Sequence, residues 1–227
     1  MTQHPSVSII ITAYNEAKTL PGTLDHLRQF KTITEIIVVD GGSNDGTTAL
    51  AAEGFKLIQS ARGRANQMNA GAAQASGELL LFLHSDTRLP GDWEQQIKKL
   101  DTGNVGGAFK VKFDAPGLFF ALAAIGSNCR AAMTGIYFGD QAIFARRDSF
   151  NRIGGFPPLE ILEDWEFSRK LRQAGKTVLL PGPVITSARR WLIYGKWRTA
   201  WLMHKIKLFY LLGVSPAELK KMYTDKR

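Results

Sequence analysis

Residues 35–47 read EIIVVDGGSNDGT: a β-branched run from Ile36 to Val39, a carboxylate at Asp40, then a turn from Gly41 to Thr47. A buried strand has no structural need for a charge at its tip. An aspartate there, followed by Gly, Ser and Asn, marks a strand leaving the sheet and turning towards a short Ala-rich helix. The same grammar extends both ways. Upstream, Val7–Ile11 is a first strand, Asn15 has the character of an N-cap, and Leu20, Leu24 and Leu27 follow at helical spacing. Downstream, Phe55–Ile58 is a third strand, Arg64–Ala75 a helix closed by Gly77, and Leu79–Leu83 a buried fourth strand ending in His84-Ser85-Asp86. Alternating strands and helices predict an α/β fold with a mainly parallel sheet flanked by helices. Ligands of such sheets bind beyond the carboxyl ends of the strands, where Asp40 and Asp86 both fall.

The second half is less regular. Gly91–Leu100 reads as a helix with Trp93 and Ile97 inward. Val105–Phe113 reads as a strand in which Gly106 and Gly107 allow close backbone approach, and Gln141–Ala145 as a further short strand. Glu163–Ala174 reads as a helix stopped by Gly175. At 227 residues the chain suits one domain with a short appendage, and 44% hydrophobic with 22% charged residues excludes disorder and a polytopic membrane protein. The uncharged stretch Ala115–Cys129 is shorter than a spanning helix and is interrupted by Pro116, Gly117 and Gly126. The N-terminal segment has no basic leader, so the cytoplasm is the expected location. The lone Cys129 excludes a disulfide framework, and the scattered His4, His26, His84 and His204 form no metal motif.

The net charge of +9 is unevenly spread: residues 1–188 hold 19 Lys and Arg against 18 Asp and Glu, and residues 189–227 hold ten against two. The division is therefore a body over 1–190 and a basic, aromatic helical tail over 191–227. The tail's Trp191, Trp197, Trp201, Phe209 and Tyr210 stand among Lys and Arg, which suits contact with an anionic membrane surface. Its apolar residues nearly encircle a helical wheel, which suits equally a helix packed on the body or in a homodimer interface. Nucleic acid is not expected, because no recognition motif accompanies the charge.

Other ligand motifs fail. No Gly-rich turn follows strand one, Gly175-Lys176-Thr177 lacks the upstream glycine of a P-loop, and Asp40–Gly46 lacks the ligands of a calcium loop. The segments VSIIITAYNEAKTL, EIIVVDGGSNDGT, GRANQMNAGAAQASGELLLFLHSDT and FARRDSFNRIGGFPPLEILEDWEFSRKLRQAG, in that order over about residues 6–191, resemble inverting family 2 glycosyltransferases of GT-A fold. GRANQMNAGA and His84-Ser85-Asp86 further resemble the radical-SAM/selenodomain-associated, arsenosugar-biosynthesis-type subgroup.

The resemblance implies a GT-A, Rossmann-like fold and transfer of a sugar from a nucleoside-diphosphate sugar to a hydroxyl-bearing acceptor. It implies that Ala13, Tyr14, Asn15 and Glu16 line the base and ribose, and that Asp40 grips the nucleoside through carboxylate oxygens that accept from N–H and O–H groups. Asp86 matches the last Asp of the metal-binding triplet, where Mg²⁺ or Mn²⁺ would neutralise the diphosphate. His84 stands where the family usually has Asp, and Met68 where many relatives carry Arg before the Asn69-x-Gly71 turn; Arg62 or Arg64 would replace that contact. Asp164 matches the general base, with Glu163 beside it as either a site residue or an acidic first turn. Asp140 is expected near sugar or acceptor, and Arg190 and Trp191 near the diphosphate and the acceptor path. Two alternatives stand beside this reading: a nucleotidyltransferase that releases pyrophosphate, and a non-catalytic nucleotide-sugar-binding protein at a membrane surface.

Overall fold

Strand β1 (Val7–Ala13) is buried at every position but Thr12, because a parallel strand of Val and Ile has apolar cover on both faces. In the computed structural model, which describes residues 5–51 and 55–223, it lies between β2 (Ile33–Asp40) and β4 (Leu79–His84). His4 and Asp225 lie outside the described residues. β3 (Lys56–Gln59), β5 (Thr87–Arg88), β6 (Asn104–Phe113), β7 (Phe144–Arg146) and β8 (Lys176–Thr186) complete one mixed sheet in the order β3-β2-β1-β4-β7-β6-β8-β5. β1 through β4 pair in parallel, β7 runs antiparallel to both β4 and β6, and β8 returns parallel to β6.

Alternation along β1 builds two cores. Ile9 and Ile11 face one cluster with Leu20, Leu24 and Leu27 of α1 (Leu20–Arg28) and Trp93 of α4 (Trp93–Lys98). Between them in chain order lie α2 (Thr47–Ala51) and α3 (Arg64–Ala73). Ile10 faces the opposite cluster with Val39, Phe82 and Met68 of α3. The remaining helices are α5 (Leu118–Thr134), α6 (Arg147–Ile153), α7 (Glu163–Ala174), α8 (Arg189–Tyr194), α9 (Lys196–Leu211) and α10 (Pro216–Met222). Among the described residues no helix is long and apolar enough to cross a membrane.

Several local expectations change. Asn15 is not an N-cap: its φ is +53°, its side chain accepts from the Asn44 N–H at 3.0 Å, and α1 starts only at Leu20. α3 ends at Ala73, capped by Gln74 rather than by Gly77; Gly77 instead lets the chain pass Ser8, whose backbone N a Cβ would meet at 2.7 Å. Asn69 and Gly71 lie within α3, not in a turn, and Gly71 is needed because a Cβ would come within 2.4 Å of Ile10. Gln141 belongs to a short 3-10 turn, Gly139–Gln141, so the strand there begins at Phe144. The tail packs on the body: Ile206 and Leu219 are buried against Leu162, with Phe138 and Trp165 beside them. The expected division at 190/191 falls inside α8.

The glycines of β6 meet the expectation of close approach. A Cβ on Gly107 would lie 1.9 Å from the Val178 carbonyl oxygen of β8, and one on Gly106 would lie 2.4 Å from that of Phe144. Both obstacles are backbone in a ladder that cannot shift without losing hydrogen bonds. Gly107→Ala is therefore expected to cost about 3 kcal/mol or more of unfolding free energy, read by urea denaturation.

Candidate active site

The carboxyl ends of β1, β2 and β4 finish level, since Ala13 pairs with Asp40 and Thr12 with His84. Asp40 is fully buried. One of its oxygens accepts from the N–H groups of Gly42 and Ser43, each at 2.9 Å, and the other from the Ser43 hydroxyl. A carboxylate offers about four lone-pair sites, so its own turn occupies most of Asp40. Ser43 passes the constraint on by accepting from the Asn15 N–H at 2.8 Å, and Asp45 accepts from the Ala17 N–H at 3.0 Å. Gln67 of α3 donates to the carbonyls of both Ala13 and Val39, at 2.8 and 2.9 Å, tying the two strand ends together. On the rim of this loop the Arg62 guanidinium lies 4.0 Å from the Tyr14 ring centre.

Four carboxylates gather beyond β4. Asp86 follows the strand end. Asp140 sits in the 3-10 turn, and Glu163 and Asp164 open α7. The turn and helix are joined directly: Asp164 accepts from the Gly139 N–H at 2.9 Å and from the Trp165 N–H at 2.8 Å. A Cβ on Gly139 would lie 2.5 Å from His84 Nε2 and 3.7 Å from Asp164 Oδ2, so His84 and Asp164 flank the same backbone. Gln141 holds the turn from behind, its Oε1 accepting from the Phe138 N–H at 3.2 Å and from Arg130 at 3.0 Å. Arg130, from α5, also donates to the Ile136 carbonyl and lies 4.1 Å over the Phe138 ring.

Burial raises the proton affinity of every member. Burial pushes Asp140 up to about 6, partly offset by Arg130. Burial and the neighbouring Asp164 push Glu163 up to about 7. Asp164 itself is raised by burial, against the lowering effect of the Gly139 N–H and Arg64. Asp86 is raised by burial and by Glu16, with Arg189 and Arg64 opposing. Arg64 is thus the cation that acts on all four.

The structure brings Asp86, Asp140, Glu163, Asp164, His84 and Arg64 together. Asp40 lies apart, two strand spacings or about 10 Å across the sheet. The Arg190 guanidinium lies 3.7 Å over the Tyr223 ring of the tail. Trp191 packs on Phe113 and Phe119, with ring centres 5.7 and 5.6 Å away. The neighbouring Arg189 reaches Glu16 at 3.3 Å and acts on Asp86. Met68 is buried in the core and has no access to a phosphate. A concavity of about 430 Å³ beside Thr134, Arg172 and Lys176 has no carboxylate in its lining and is separate from this cluster.

Among the described residues no group of three His, Cys, Asp or Glu side chains is arranged to hold a metal. The donor set still fits a divalent ion shared with a ligand. Asp140 Oδ1 is buried without a hydrogen-bond partner, and Asp86 is a largely buried carboxylate with Glu16 acting on it. Mg²⁺ and Mn²⁺ sites commonly take one or two carboxylates and complete their shell with phosphate oxygens and water.

The profile of Glycosyl transferase family 2 matches residues 8–155, which carry β1 to β4, the 3-10 turn and the start of the loop before Asp164. The chain belongs to glycosyl transferase family 2. Its GT-A fold is likewise that of the mannosyltransferase PcManGT from Pyrobaculum calidifontis, solved with GDP-Man and Mn²⁺ (TM-score 0.66, 21% identity, 97% of this chain and 68% of that one). It is also similar to TarS 1-349 of S. aureus in complex with UDP-GlcNAc (TM-score 0.62, 21% identity, 80% of this chain and 58% of that one). The uncharacterized glycosyltransferase Rv1514c of Mycobacterium tuberculosis is 41% identical over 98 residues, 40% of this chain and 37% of its own length. The poly-beta-1,6-N-acetyl-D-glucosamine synthase of Staphylococcus epidermidis is 33% identical over 98 residues, 40% of this chain and 24% of its own. The chain thus spans well under half the length of these relatives.

In this family 2 chain the proton affinity of Glu163 has a consequence for stability. With its value at about 7 when folded against 4.5 ordinarily, the folded state holds a proton that the unfolded state has already released. The contribution of Glu163 to stability is then neutral below pH 4.5, becomes unfavourable as pH rises from 4.5 to 7, and stays so above. Glu163→Gln is expected to raise Tm at pH 8, by the equivalent of up to about 3 kcal/mol, and to leave it unchanged at pH 4. Thermal denaturation at the two pH values checks this.

Proposed function

We propose that this chain transfers a sugar, with inversion at the anomeric carbon, from a nucleoside-diphosphate sugar to a hydroxyl-bearing acceptor, with Asp164 as general base. The observation that carries the reading is the joint presence of Asp86 and Asp164 around Arg64 at the carboxyl end of the sheet. In a single displacement Asp164 takes the proton of the acceptor hydroxyl while that oxygen forms its bond to the anomeric carbon. The bond from that carbon to the diphosphate oxygen breaks, and the nucleoside diphosphate leaves with the electron pair. A raised carboxylate suits the task, because a base is most effective when its proton affinity lies near the working pH. The hydrogen bond from the Gly139 N–H fixes which oxygen of Asp164 faces its neighbours.

Arg64 and Arg189 supply fixed positive charge for the leaving diphosphate. Asp86, with Asp140 behind it, would hold a divalent cation, which when bound neutralises charge on the diphosphate. The GDP-Man, UDP-GlcNAc and Mn²⁺ of the structural neighbours support that donor class and that ion. The Tyr14–Asn15–Glu16 loop, stiffened by the Asp40 turn, would border the nucleoside, Tyr14 and Arg62 offering a flat face to the base. In this reading Asp40 acts on the nucleoside mainly by shaping that loop. Residues 1–190 form the transferase unit and 191–227 its packed appendage. Membership of the radical-SAM/selenodomain-associated subgroup is proposed on the GRANQMNAGA and His84-Ser85-Asp86 motifs alone.

Asp164→Asn is expected to keep donor binding in a thermal-shift or calorimetric assay and to lose at least about 10²-fold in nucleoside-diphosphate release. Turnover at the wild-type rate would remove the base assignment, and pyrophosphate in place of a nucleoside diphosphate would mark a nucleotidyltransferase. Asp86→Ala is expected to abolish the part of donor affinity that depends on Mn²⁺, measured by calorimetry with and without the ion; identical Mn²⁺ dependence would remove Asp86 as its ligand.

A further inference from the structure

The uncharged stretch from Ala115 to Cys129 becomes most of α5, and the outer side of that helix is apolar along its length. Leu118 is 75% exposed, Leu122 and Ile125 57% each and Met133 83%, with Cys129 exposed between them. These positions recur at helical spacing and form one stripe. α9 is apolar on two sides. Its inner side packs Leu202, Met203, Ile206, Phe209 and Tyr210 on the body, while its outer side leaves Trp197 78% and Trp201 64% exposed, together with Leu208 and Leu211. The two helices touch near their N-terminal ends, where the Phe119 and Trp197 rings lie 5.1 Å apart and Lys196 lies 5.0 Å over Phe120. So many large apolar side chains exposed together mark an interaction surface.

The charge around the surface decides the occupant. No Asp or Glu occurs between Asp114 and Asp140 or between Glu166 and Glu218, the two segments that carry the exposed stripes. Arg198 is exposed beside Trp197, and the Lys205 ammonium lies 4.9 Å over Trp201. A second copy of the chain would bring this positive surface against itself across a twofold axis, at an electrostatic cost. An anionic bilayer complements it. Trp and the long stems of Lys and Arg seat at the headgroup level while aliphatic side chains enter the acyl boundary. We propose that the outer sides of α5 and α9 form one docking face for an anionic phospholipid bilayer, with the chain lying on the membrane surface.

The full chain is sedimented with vesicles of phosphatidylcholine alone and of phosphatidylcholine mixed with phosphatidylglycerol. Strong, salt-sensitive partitioning onto the phosphatidylglycerol vesicles and weak partitioning onto phosphatidylcholine are expected. Trp197→Ser with Trp201→Ser, and separately Leu122→Gln with Ile125→Gln, should each lower the partition coefficient at least tenfold. Arg198→Gln, an exposed change that leaves the fold intact, should lower it about fivefold on the anionic vesicles only. The variants' thermal response to GDP and UDP with Mn²⁺ should match the wild type, since none of these residues joins the carboxylate cluster. Failure to bind phosphatidylglycerol vesicles, equal binding to phosphatidylcholine, or wild-type partitioning by either double variant would overturn the proposal. So would a dimer in light scattering that the same substitutions dissociate, because the face would then belong to a second copy.

Discussion

Negative charge confined at the end of an apolar sheet is the constraint on which this molecule turns. Asp86, Asp140, Glu163 and Asp164 come from three separate stretches of chain, and burial makes each reluctant to ionise. Arg64, at the first position of α3, offsets part of that cost for all four. Its placement follows from α3 being seated on the sheet by Gly71 against Ile10 and by Gln67 across the ends of β1 and β2. The packing of one helix on two strands therefore sets the electrostatics of the cluster. A bound cation would lower the same cost, so cation binding and the stability of the cluster are linked.

Backbone strain follows the same geography. Among the described residues, the non-glycine positions with positive φ are Asn15, Ala142 and Leu162. One is in the loop after β1, one ends the 3-10 turn that carries Asp140, and one immediately precedes Glu163. Conformations of this kind cost about 1–3 kcal/mol each and persist where the surroundings fix them. Here the fixing contacts can be named. Asn15 is held between Ser43 and Asn44, and the loop before Leu162 is clamped by Asn69, whose amide bonds both the N–H and the carbonyl of Phe156 at 2.9 and 2.8 Å. Gly155 makes the clamp possible, since a Cβ there would meet Asn69 Oδ1 at 2.6 Å.

Legibility in the sequence followed burial and periodicity. β1, β2 and β4 were readable because each carries a buried β-branched or leucine run, and α7 because its acidic start and Gly175 bound it. β8 was not readable, because Pro181-Gly182-Pro183 breaks the run. In the folded chain the pairing with β6 jumps from Leu180 to Pro183, so the break is a bulge, and the Gly182 N–H goes to Gln96 instead of the ladder. α6 carried too short a pattern. Asp86 and Asp164 stood out as charges at element ends. Arg130 had only a faint signal, a single cation closing an uncharged stretch, and Arg189 was passed over for the arginine next to it. That Arg189 is placed to reach Glu16 depends on the pitch of α8, which sequence spacing does not specify.

α9 shows why a hydrophobic wheel can mislead when a helix has two apolar neighbours. Apolar residues on opposite sides cancel in any measure of amphipathicity, so the segment looks patternless although each side is specific. The inner side is fixed by the body: Ile206 meets Leu162, and Tyr210 donates to Glu166 at 2.7 Å. The outer side touches α5 through Trp197 and Phe119, yet both Trp197 and Trp201 stay largely exposed there. Packing on the body and contact with an outside surface, which compete as explanations of the sequence, are compatible once the helix is seen to use a different side for each. The side that seats α9 also covers Leu162 and Trp165, which flank Glu163 and Asp164.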